Sequence, residues 1–287
     1  MLSRLGNLRS VSFTHGCVTE AVELGPRLRR IVVQIDDLAA LDVKPAADSA
    51  VGVYFPVASP DGTSHIDRDA EGRNYSVRHH AGDLITLDVF LHAYGVGTSW
   101  AAAARPGDRI GLDHARSWYR PPRGTDWLLL VTDLAGLPAT ARIIEDSAPH
   151  IPVTAIVEVA DSGDLNYLPA HTGVAVIPAV GTGNGHAPSR LAELVGEHRL
   201  PAGRGYCWFA GEAAESRIVR KYFRGLGWTI DQLDITGYWR FDSERWDARF
   251  ATVEDEVVAV YAQAIADGKG DKVASEEFDE ALERVGL

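Results

Sequence analysis

The sequence predicts a β-barrel domain, then a doubly wound α/β domain with a parallel sheet, and then a helical tail. Three observations lead to this prediction. Short β-rich runs separated by Gly, Pro and Asp clusters fill the first part, continuous apolar runs alternate with helical patterns in the middle, and apolar stripes at helical spacing end the chain. We place the boundaries at residues 1–122, 123–245 and 246–287.

The barrel prediction rests on runs rich in β-branched and aromatic residues. Many short strands with turn residues between them are typical of barrels and sandwiches. The runs are 28–33, 50–55, 74–78, 84–91 and 109–112, and a Pro/Gly-rich segment at 119–125 is interpreted as a linker.

Four continuous apolar runs predict the parallel sheet, because strands covered on both faces need apolar residues at every position. They are 127–131, 153–159, 174–177 and 206–210, and helical patterns at 139–146, 189–197 and 215–224 alternate with them. Alternating β and α units indicate a doubly wound domain. In the tail, one amphipathic stripe includes Val253 and Val257, and a second includes Phe278 and Leu282.

Composition excludes several function classes. The net charge of −12 argues against nucleic acid as the main partner, since phosphate binding needs a basic face. No apolar run is long enough to span a bilayer, and the N-terminus lacks the apolar region of a signal peptide, so we expect a cytoplasmic protein. Cys17 and Cys207 provide no disulfide framework and no metal site. Five aspartates are interpreted as solvated loop charges: Asp42, Asp48, Asp61, Asp67 and Asp69.

The most informative segment is Arg73-Asn74-Tyr75-Ser76-Val77-Arg78. A flavin site needs an aromatic face for the ring, a hydroxyl near its edge and a cation for the pyrophosphate. Alternation along a strand places Arg73, Tyr75 and Val77 on one face and the other three residues on the opposite face. The alternative is a plain edge strand with a polar face.

A second segment runs from a strand that ends at His92 to a glycine-bearing turn and a short helix. We expect this helix to start near Thr98 or Ser99, either of which could cap it. Backbone N–H groups at a helix start can bind a pyrophosphate. The alternative is an ordinary capped helix.

Taken together, these segments resemble the siderophore-interacting protein family of FAD-dependent ferric-siderophore reductases, which are related to ferredoxin–NADP reductases. The resemblance rests on Arg-x-Tyr-Ser-x-Arg at 73–78, Leu91-His92, the glycine turn before Trp100-Ala101, and Arg105-Pro106-Gly107-Asp108-Arg109. It extends to residues 25–30, which look like the family's first strand, and to residues 127–139, 210–213 and 237–240.

The resemblance implies a Greek-key barrel that binds FAD and an α/β domain that receives NADH or NADPH. It implies catalytic roles for Tyr75 and Ser76, a ferric siderophore as substrate, ferredoxin as a further candidate partner, and no protein metal ligand. The residues expected to bind cofactors are Arg73, Tyr75, Ser76, Val77, His92, Gly97, Thr98, Ser99, Trp100 and Asp133. The arginines expected to bind an anionic siderophore are Arg78, Arg116 and Arg240.

The sequence also departs from the family pattern. The turn after His92 is one residue short and lacks the family's proline, and Pro178-Ala179 stands where NADPH-using members often have a His-Arg pair. The donor therefore stays open between NADH, NADPH and ferredoxin. The glycine-rich residues 181–185 lack dinucleotide-fingerprint spacing and are interpreted as a flexible connector.

Two alternative functions stay open from the sequence. One is a flavoenzyme of the same fold that reduces free flavin, a quinone or an electron-transfer protein. The other is a non-catalytic protein that binds a siderophore or a flavin.

Overall fold

The computed structural model describes residues 13–58, 64–68, 70, 72–92 and 95–287. Its first part is a closed antiparallel barrel with the strand order β1-β2-β7-β6-β3-β8, and the return of β3 beside β8 makes the connection a Greek key. The barrel strands are β1 (Thr14–Gly25), β2 (Leu28–Ile35), β3 (Ala50–Tyr54), β6 (Arg73–Ala81), β7 (Leu84–Phe90) and β8 (Arg109–Arg116). The short strands β4 (Pro56–Ala58) and β5 (Ser64–Ile66) pair separately, and the helices are α1 (Leu38–Leu41) and α2 (Val96–Ala103).

The first strand differs from the prediction. Residues 25–30, which resemble the family's first strand, form the turn after β1 and the start of β2. The true first strand, Thr14–Gly25, alternates buried residues such as Val18 with exposed polar ones, so it lacks the apolar density of the other strands. The expectation for residues 25–30 is therefore wrong.

The second part is a five-stranded parallel sheet with the order β11-β10-β9-β12-β13. Its strands are β9 (Trp127–Thr132), β10 (Val153–Val159), β11 (Val174–Val180), β12 (Gly205–Glu212) and β13 (Leu233–Trp239), and its helices are α3 (Leu137–Asp146), α4 (Leu191–Glu197) and α5 (Ala213–Gly225). Strand order reverses between β9 and β12, and ligands of doubly wound sheets bind at the carboxyl ends of the strands beside such a reversal.

Three helices follow the sheet: α6 (Ser243–Phe250), α7 (Glu254–Ala266) and α8 (Asp271–Arg284). They share a small core that includes Val257, Phe278 and Leu282. Helix α8 docks on the α/β domain through an ion pair of 2.5 Å between Arg220 and Asp279. None of the helices in the described ranges has the length and apolar content needed to cross a membrane.

Asp48 connects the barrel to the α/β domain through hydrogen bonds, so the expectation that it is a solvated loop charge is wrong. It is fully buried, and its Oδ2 accepts hydrogen bonds from the backbone N–H of Trp118 (2.9 Å) and Tyr119 (2.7 Å) and from Nε1 of Trp208 (3.3 Å). The same contacts anchor the segment that follows β8. Asp61 and Asp69, interpreted in the same way from the sequence, lie outside the described residues.

Candidate functional site

Strand β6 carries Arg73, Tyr75, Ser76, Val77 and Arg78. Tyr75 and Val77 pack with the barrel core, whereas Ser76 is buried outside that core and Arg78 reaches α3. The alternation that the sequence predicts is therefore present from Tyr75 to Arg78. Arg73 lies exposed at the start of the strand.

The ring of Tyr75 lies against the start of helix α2. A Cβ atom at Gly97 would collide with the Tyr75 hydroxyl and would contact Phe55, so only glycine allows this approach. The rings of Phe55 and Tyr75 meet edge to face with centroids 6.5 Å apart, and Trp100 continues the cluster 5.1 Å from Phe55. Burial raises the pKa of Tyr75 to about 12.

Helix α2 starts earlier than expected. Neither Thr98 nor Ser99 caps it, because Gly95 adopts φ = 126°, a conformation that strongly favours glycine, and the chain enters the helix at Val96. Thr98 instead accepts a hydrogen bond on Oγ1 from the backbone N–H of His92 (3.1 Å). The expectation that Thr98 or Ser99 is the cap is wrong.

The first turn of α2 fits a phosphate group. No side chain caps the helix start, so the N–H groups of its first turn keep the unsatisfied donors found at every helix N-terminus. Gly95 and Val96 at this helix start are exposed, whereas Gly97 is buried against the Tyr75 ring. The residues present therefore fit the pyrophosphate of a flavin dinucleotide.

Ser76 faces the α/β domain. Its hydroxyl and that of Tyr238 on β13 are both buried, and neither forms a hydrogen bond of good geometry with another described group. The two side chains are close, since Ser76 lowers the pKa of Tyr238 while burial, the larger effect, raises it. The Trp208 ring meets Tyr238 edge to face at 6.4 Å. Two buried hydroxyls that have only each other as a possible partner among the described residues, beside aromatic rings, fit the polar edge of a flavin ring, because buried polar groups are normally fully hydrogen-bonded.

A pocket of about 450 Å³ opens at the carboxyl edge of the parallel sheet. Its walls come from the loop after β11, the end of β12, the start of α5 and the end of β13. The lining residues are Gly183, residues 185–189, Glu212, Glu215, Trp239 and Phe241. This is the position at which doubly wound sheets bind nucleotides.

Asp133 acts on this pocket through Trp239. The carboxylate is buried directly after β9, where Oδ2 accepts a hydrogen bond from Nε1 of Trp239 (2.5 Å) and Oδ1 accepts one from the backbone N–H of Ala135 (2.9 Å). Burial raises the pKa of Asp133 to about 7. The carboxylate fixes the orientation of a ring that lines the pocket.

His92 connects the barrel to the same pocket. Its pKa is lowered by burial and, to a smaller extent, by His186, which lines the pocket. The end of strand β7 in the barrel and the pocket of the α/β domain are therefore within electrostatic range of each other.

The glycine-rich residues 181–185 form an ordered loop, so their interpretation as a flexible connector is wrong. Asn184 is buried at φ = 55°, accepts a hydrogen bond from the backbone N–H of Leu134 (2.9 Å), and donates to the carbonyl oxygen of Glu158 (3.3 Å). An Asn side chain tolerates this left-handed conformation and ties the loop after β11 to the turn after β9.

The structure does not gather Arg78, Arg116 and Arg240 into one cluster. Arg78 forms two hydrogen bonds to Glu145 (2.7 and 2.5 Å) and one to the hydroxyl of Tyr167 (3.1 Å). Arg116 donates to Oδ1 of Asn74 (2.7 Å), and burial lowers its pKa.

Arg240 lies 4.0 Å from the ring centroid of Trp246. Burial, and then the charge of Arg217, lower the pKa of Arg240 to about 10. Of the three arginines, Arg116 is an electrostatic neighbour of Tyr238, and Arg240 follows Trp239 directly in the chain.

Two family models match this chain, one for each of its main parts. The model described as "Siderophore-interacting FAD-binding domain" matches residues 17–116, and the model described as "Siderophore-interacting protein" matches residues 125–242. The chain belongs to the siderophore-interacting protein family. The resemblance inferred from the sequence is confirmed, and the barrel that carries Tyr75 and Ser76 is the family's FAD-binding domain.

Relatives of this siderophore-interacting protein agree with the assignment. An "NADPH-dependent ferric-chelate reductase" of Escherichia coli (strain K12) is 27% identical over 183 residues, which cover 63% of this chain and 68% of the relative. A siderophore utilization protein from T. fusca is similar in structure, with a TM-score of 0.69, 28% identity, and coverage of 81% of this chain and 94% of that chain.

A ferredoxin NADP+ reductase from Neisseria gonorrhoeae with bound FAD and NADP shares the fold. Its TM-score is 0.61 at 15% identity, with coverage of 79% of this chain and 99% of that chain. The predicted fold class is therefore confirmed. The match to the FAD-binding family model and the similarity to the ferric-chelate reductase identify the protein as an oxidoreductase with an FAD-binding barrel.

Proposed function

We propose that this protein reduces ferric siderophores with electrons that pass from NADH or NADPH through FAD. One observation carries the proposal: the buried hydroxyls of Ser76 and Tyr238 lie next to each other where the FAD-binding barrel joins the pocket-bearing domain, and no other described group forms a hydrogen bond with either of them. A cofactor edge at this junction would lie within reach of a ligand in the pocket. A cytoplasmic location, where reduced nicotinamides are available, is part of the proposal.

The barrel residues would hold the cofactor. The amide groups at the start of α2 would bind the pyrophosphate, helped by the positive charge of Arg73. Tyr75 would contact the ring, and the Ser76 hydroxyl would donate to its polar edge. Val77, His92, Ser99 and Trp100 complete the proposed set through the packing of β6 and α2.

FAD supplies the chemistry that joins a two-electron donor to a one-electron acceptor, and the protein positions and tunes it. The pocket at the carboxyl edge of the sheet would hold the nicotinamide donor, with Trp239 as a wall that Asp133 keeps in place. Enclosure by the barrel on one side would keep water from the reacting groups.

The substrate part of the proposal rests on local charge. The chain as a whole carries −12, so an anionic chelate gains nothing from long-range attraction and depends on nearby cations. Arg116 and Arg240 are placed for this role beside Tyr238 and Trp239. Arg78 was assigned to the same role from the sequence, but its hydrogen bonds to Glu145 give it a second task in joining β6 to α3.

The chelate itself explains why reduction releases iron. Hard oxygen ligands hold Fe(III) far more tightly than Fe(II), so one electron weakens the complex. This step needs no protein ligand to the metal.

Anaerobic spectroscopy tests the proposal directly. The FAD-loaded protein is mixed with NADH, NADPH or reduced ferredoxin, and the loss of flavin absorbance is followed. A ferric siderophore is then added, with free flavin and a quinone as comparison acceptors. We expect bleaching by a nicotinamide and reoxidation by the ferric chelate with trapped Fe(II). Reoxidation by the quinone but not by any ferric chelate would contradict the substrate assignment.

A paired substitution tests the two arginines. Replacing Arg116 and Arg240 by Ala should raise KM for an anionic ferric siderophore, weaken the salt dependence and leave FAD content unchanged. The control is Arg199→Ala, which removes a positive charge from an exposed position after α4, at the opposite edge of the sheet. Equal KM values and salt responses for both proteins would count against the assignment.

A further inference from the structure

The pocket at the carboxyl edge of the sheet is walled by the protein's own carboxylates. Glu212 ends β12, and its Oε2 accepts hydrogen bonds from the backbone N–H groups of Ala214 (2.6 Å) and Glu215 (3.2 Å). The start of α5 is therefore occupied by an internal anion. A helix start is the usual phosphate site in folds of this class, and here its donors are already in use.

A carboxylate also occupies the N-terminus of the neighbouring helix α4. Glu215 accepts a hydrogen bond on Oε2 from the backbone N–H of Ala192 (2.7 Å) in the first turn of α4. Burial raises the pKa of Glu215, and the charges of Glu158 and Glu212 raise it further. The pocket thus has two carboxylates in its wall that repel each other and that would repel any added anion.

A third carboxylate lies against the pocket. Glu158 is 1% exposed, and its Oε1 accepts hydrogen bonds from the hydroxyl of Thr182 (2.8 Å) and the backbone N–H of Arg190 (2.8 Å). Its Oε2 is buried, has no hydrogen-bond partner among the residues that the structure describes, and lies directly against Gly183 in the pocket lining. Glu158 therefore adds a third carboxylate directly behind the pocket wall, within electrostatic range of Glu215.

Cations are absent from the pocket lining as the described residues define it, since no Lys or Arg contributes to its walls. The nearby Arg190 is paired with Glu193 (2.5 Å). Arg240 lies over Trp246 outside the lining, and three acidic neighbours offset its charge: Glu212, Asp247 and Asp279.

We propose that this pocket selects the nicotinamide dinucleotide without a 2′-phosphate, NADH, and that Glu212 and Glu215 are the residues that exclude NADPH. This inference rests on the proposed function, in which the pocket receives the electron donor. Carboxylates accept hydrogen bonds from ribose hydroxyls, whereas a phosphate at the same place brings like charge against them. The donor therefore differs from that named for the 27% identical E. coli reductase.

Binding is the measurement that tests the proposal, because it does not depend on electron transfer. NAD⁺ and NADP⁺ are titrated by calorimetry into the FAD-loaded, full-length protein. We expect NAD⁺ to bind at least about tenfold more tightly than NADP⁺, because like charges placed together are strongly unfavourable. Added salt should reduce the ratio of the NADP⁺ and NAD⁺ dissociation constants, because it screens the repulsion between the 2′-phosphate and the carboxylates. Equal affinities, tighter NADP⁺ binding, or no binding of either dinucleotide would overturn the proposal.

Two substitutions locate the effect. Glu215→Gln keeps an oxygen that can accept from Ala192 but removes the charge, so it should improve NADP⁺ binding several-fold and change NAD⁺ binding little. The control is Glu256→Gln, which removes the same charge from an exposed position in the first turn of α7, outside the pocket lining. An unchanged affinity ratio in Glu215→Gln, or an equal change in the control, would refute the role of Glu215.

A failure of the proposed NADH selectivity can be distinguished from a failure of the proposed function. If NAD⁺ binds tightly but NADH fails to bleach the flavin, the donor role fails while the selectivity of the pocket stands. If NADH and NADPH both bleach the flavin and the two dinucleotides bind with equal affinity, the donor role stands and the selectivity fails.

Discussion

The contact between Tyr75 and Gly97 can be tested by adding a single methyl group. In Gly97→Ala the new Cβ would collide with the hydroxyl oxygen of Tyr75, whereas Cζ of Tyr75 and of Phe55 would stay at ordinary contact distances of 3.4 and 3.5 Å. Overpacking of this kind typically costs about 1–3 kcal/mol. Alanine also improves helix propensity by up to about 1 kcal/mol. We expect a net loss of roughly 0–2 kcal/mol of stability and weaker FAD binding.

Removing the oxygen should relieve the collision. In the Tyr75→Phe background, Gly97→Ala should lose its cost and become neutral or stabilising, so the double-mutant cycle should show coupling of about 1–3 kcal/mol. The matched control is Gly196→Ala in α4, where the new methyl meets no atom within 4 Å and only propensity changes. Urea unfolding and FAD titration supply the two measurements. Additive effects of Tyr75→Phe and Gly97→Ala would refute this contact.

Three further predictions concern buried charges and the tail. The pKa of Asp133 is raised to about 7 in the folded state, so the folded protein binds this proton more tightly than the unfolded chain, and stability falls as pH rises from about 4 to 7. Asp133→Asn should remove roughly 4 kcal/mol of this pH dependence. A carboxyl titration by NMR that finds an ordinary pKa for Asp133 would contradict this prediction. Asp48→Ala should cost about 3 kcal/mol or more, because three donors lose their buried acceptor. Asp247→Ala at an exposed position of α6 should change stability by under about 0.5 kcal/mol, and similar unfolding midpoints for the two variants would show that Asp48 is dispensable. Deleting residues 246–287 should remove the ion pairs of α8 and expose apolar surface, leading to aggregation or a lower Tm, and a monodisperse truncated protein with unchanged Tm would count against a packing role.

Strong local patterns made the main parts of the fold predictable. The continuous apolar run in β9 can be stable only between two helical layers, and the alternation in β6 fixes which residues face the barrel core. Strand β1 was missed because polar residues are frequent in it, and strand β13 because Asp234 and Gly237 interrupt its apolar run. Asp234 is buried and pairs there with Lys272 and Tyr206. Such pairing is invisible in the sequence. The exact division at residues 122 and 245 stays a prediction.

In the candidate site, too, the sequence indicated the neighbours along one strand but not the contacts between domains. The sequence indicated Arg73, Tyr75 and Ser76 because a cation, an aromatic ring and a hydroxyl lie next to each other in one strand. It could not indicate Tyr238 as the neighbour of Ser76, since 162 positions along the chain separate the two residues and only docking of the domains brings them together.

The sequence by itself determined a barrel followed by a parallel-sheet domain, because hydrophobic periodicity acts over a few residues, and the family resemblance of its short motifs implied the flavin. Only the tertiary structure decided which charges are solvated, as Asp48 shows, and which helix starts remain open to an anion. The start of α2 is uncapped, whereas those of α4 and α5 are filled by Glu215 and Glu212. The physical reason is that the energy of a carboxylate depends on its burial and on the donors around it, and distant parts of the chain supply both.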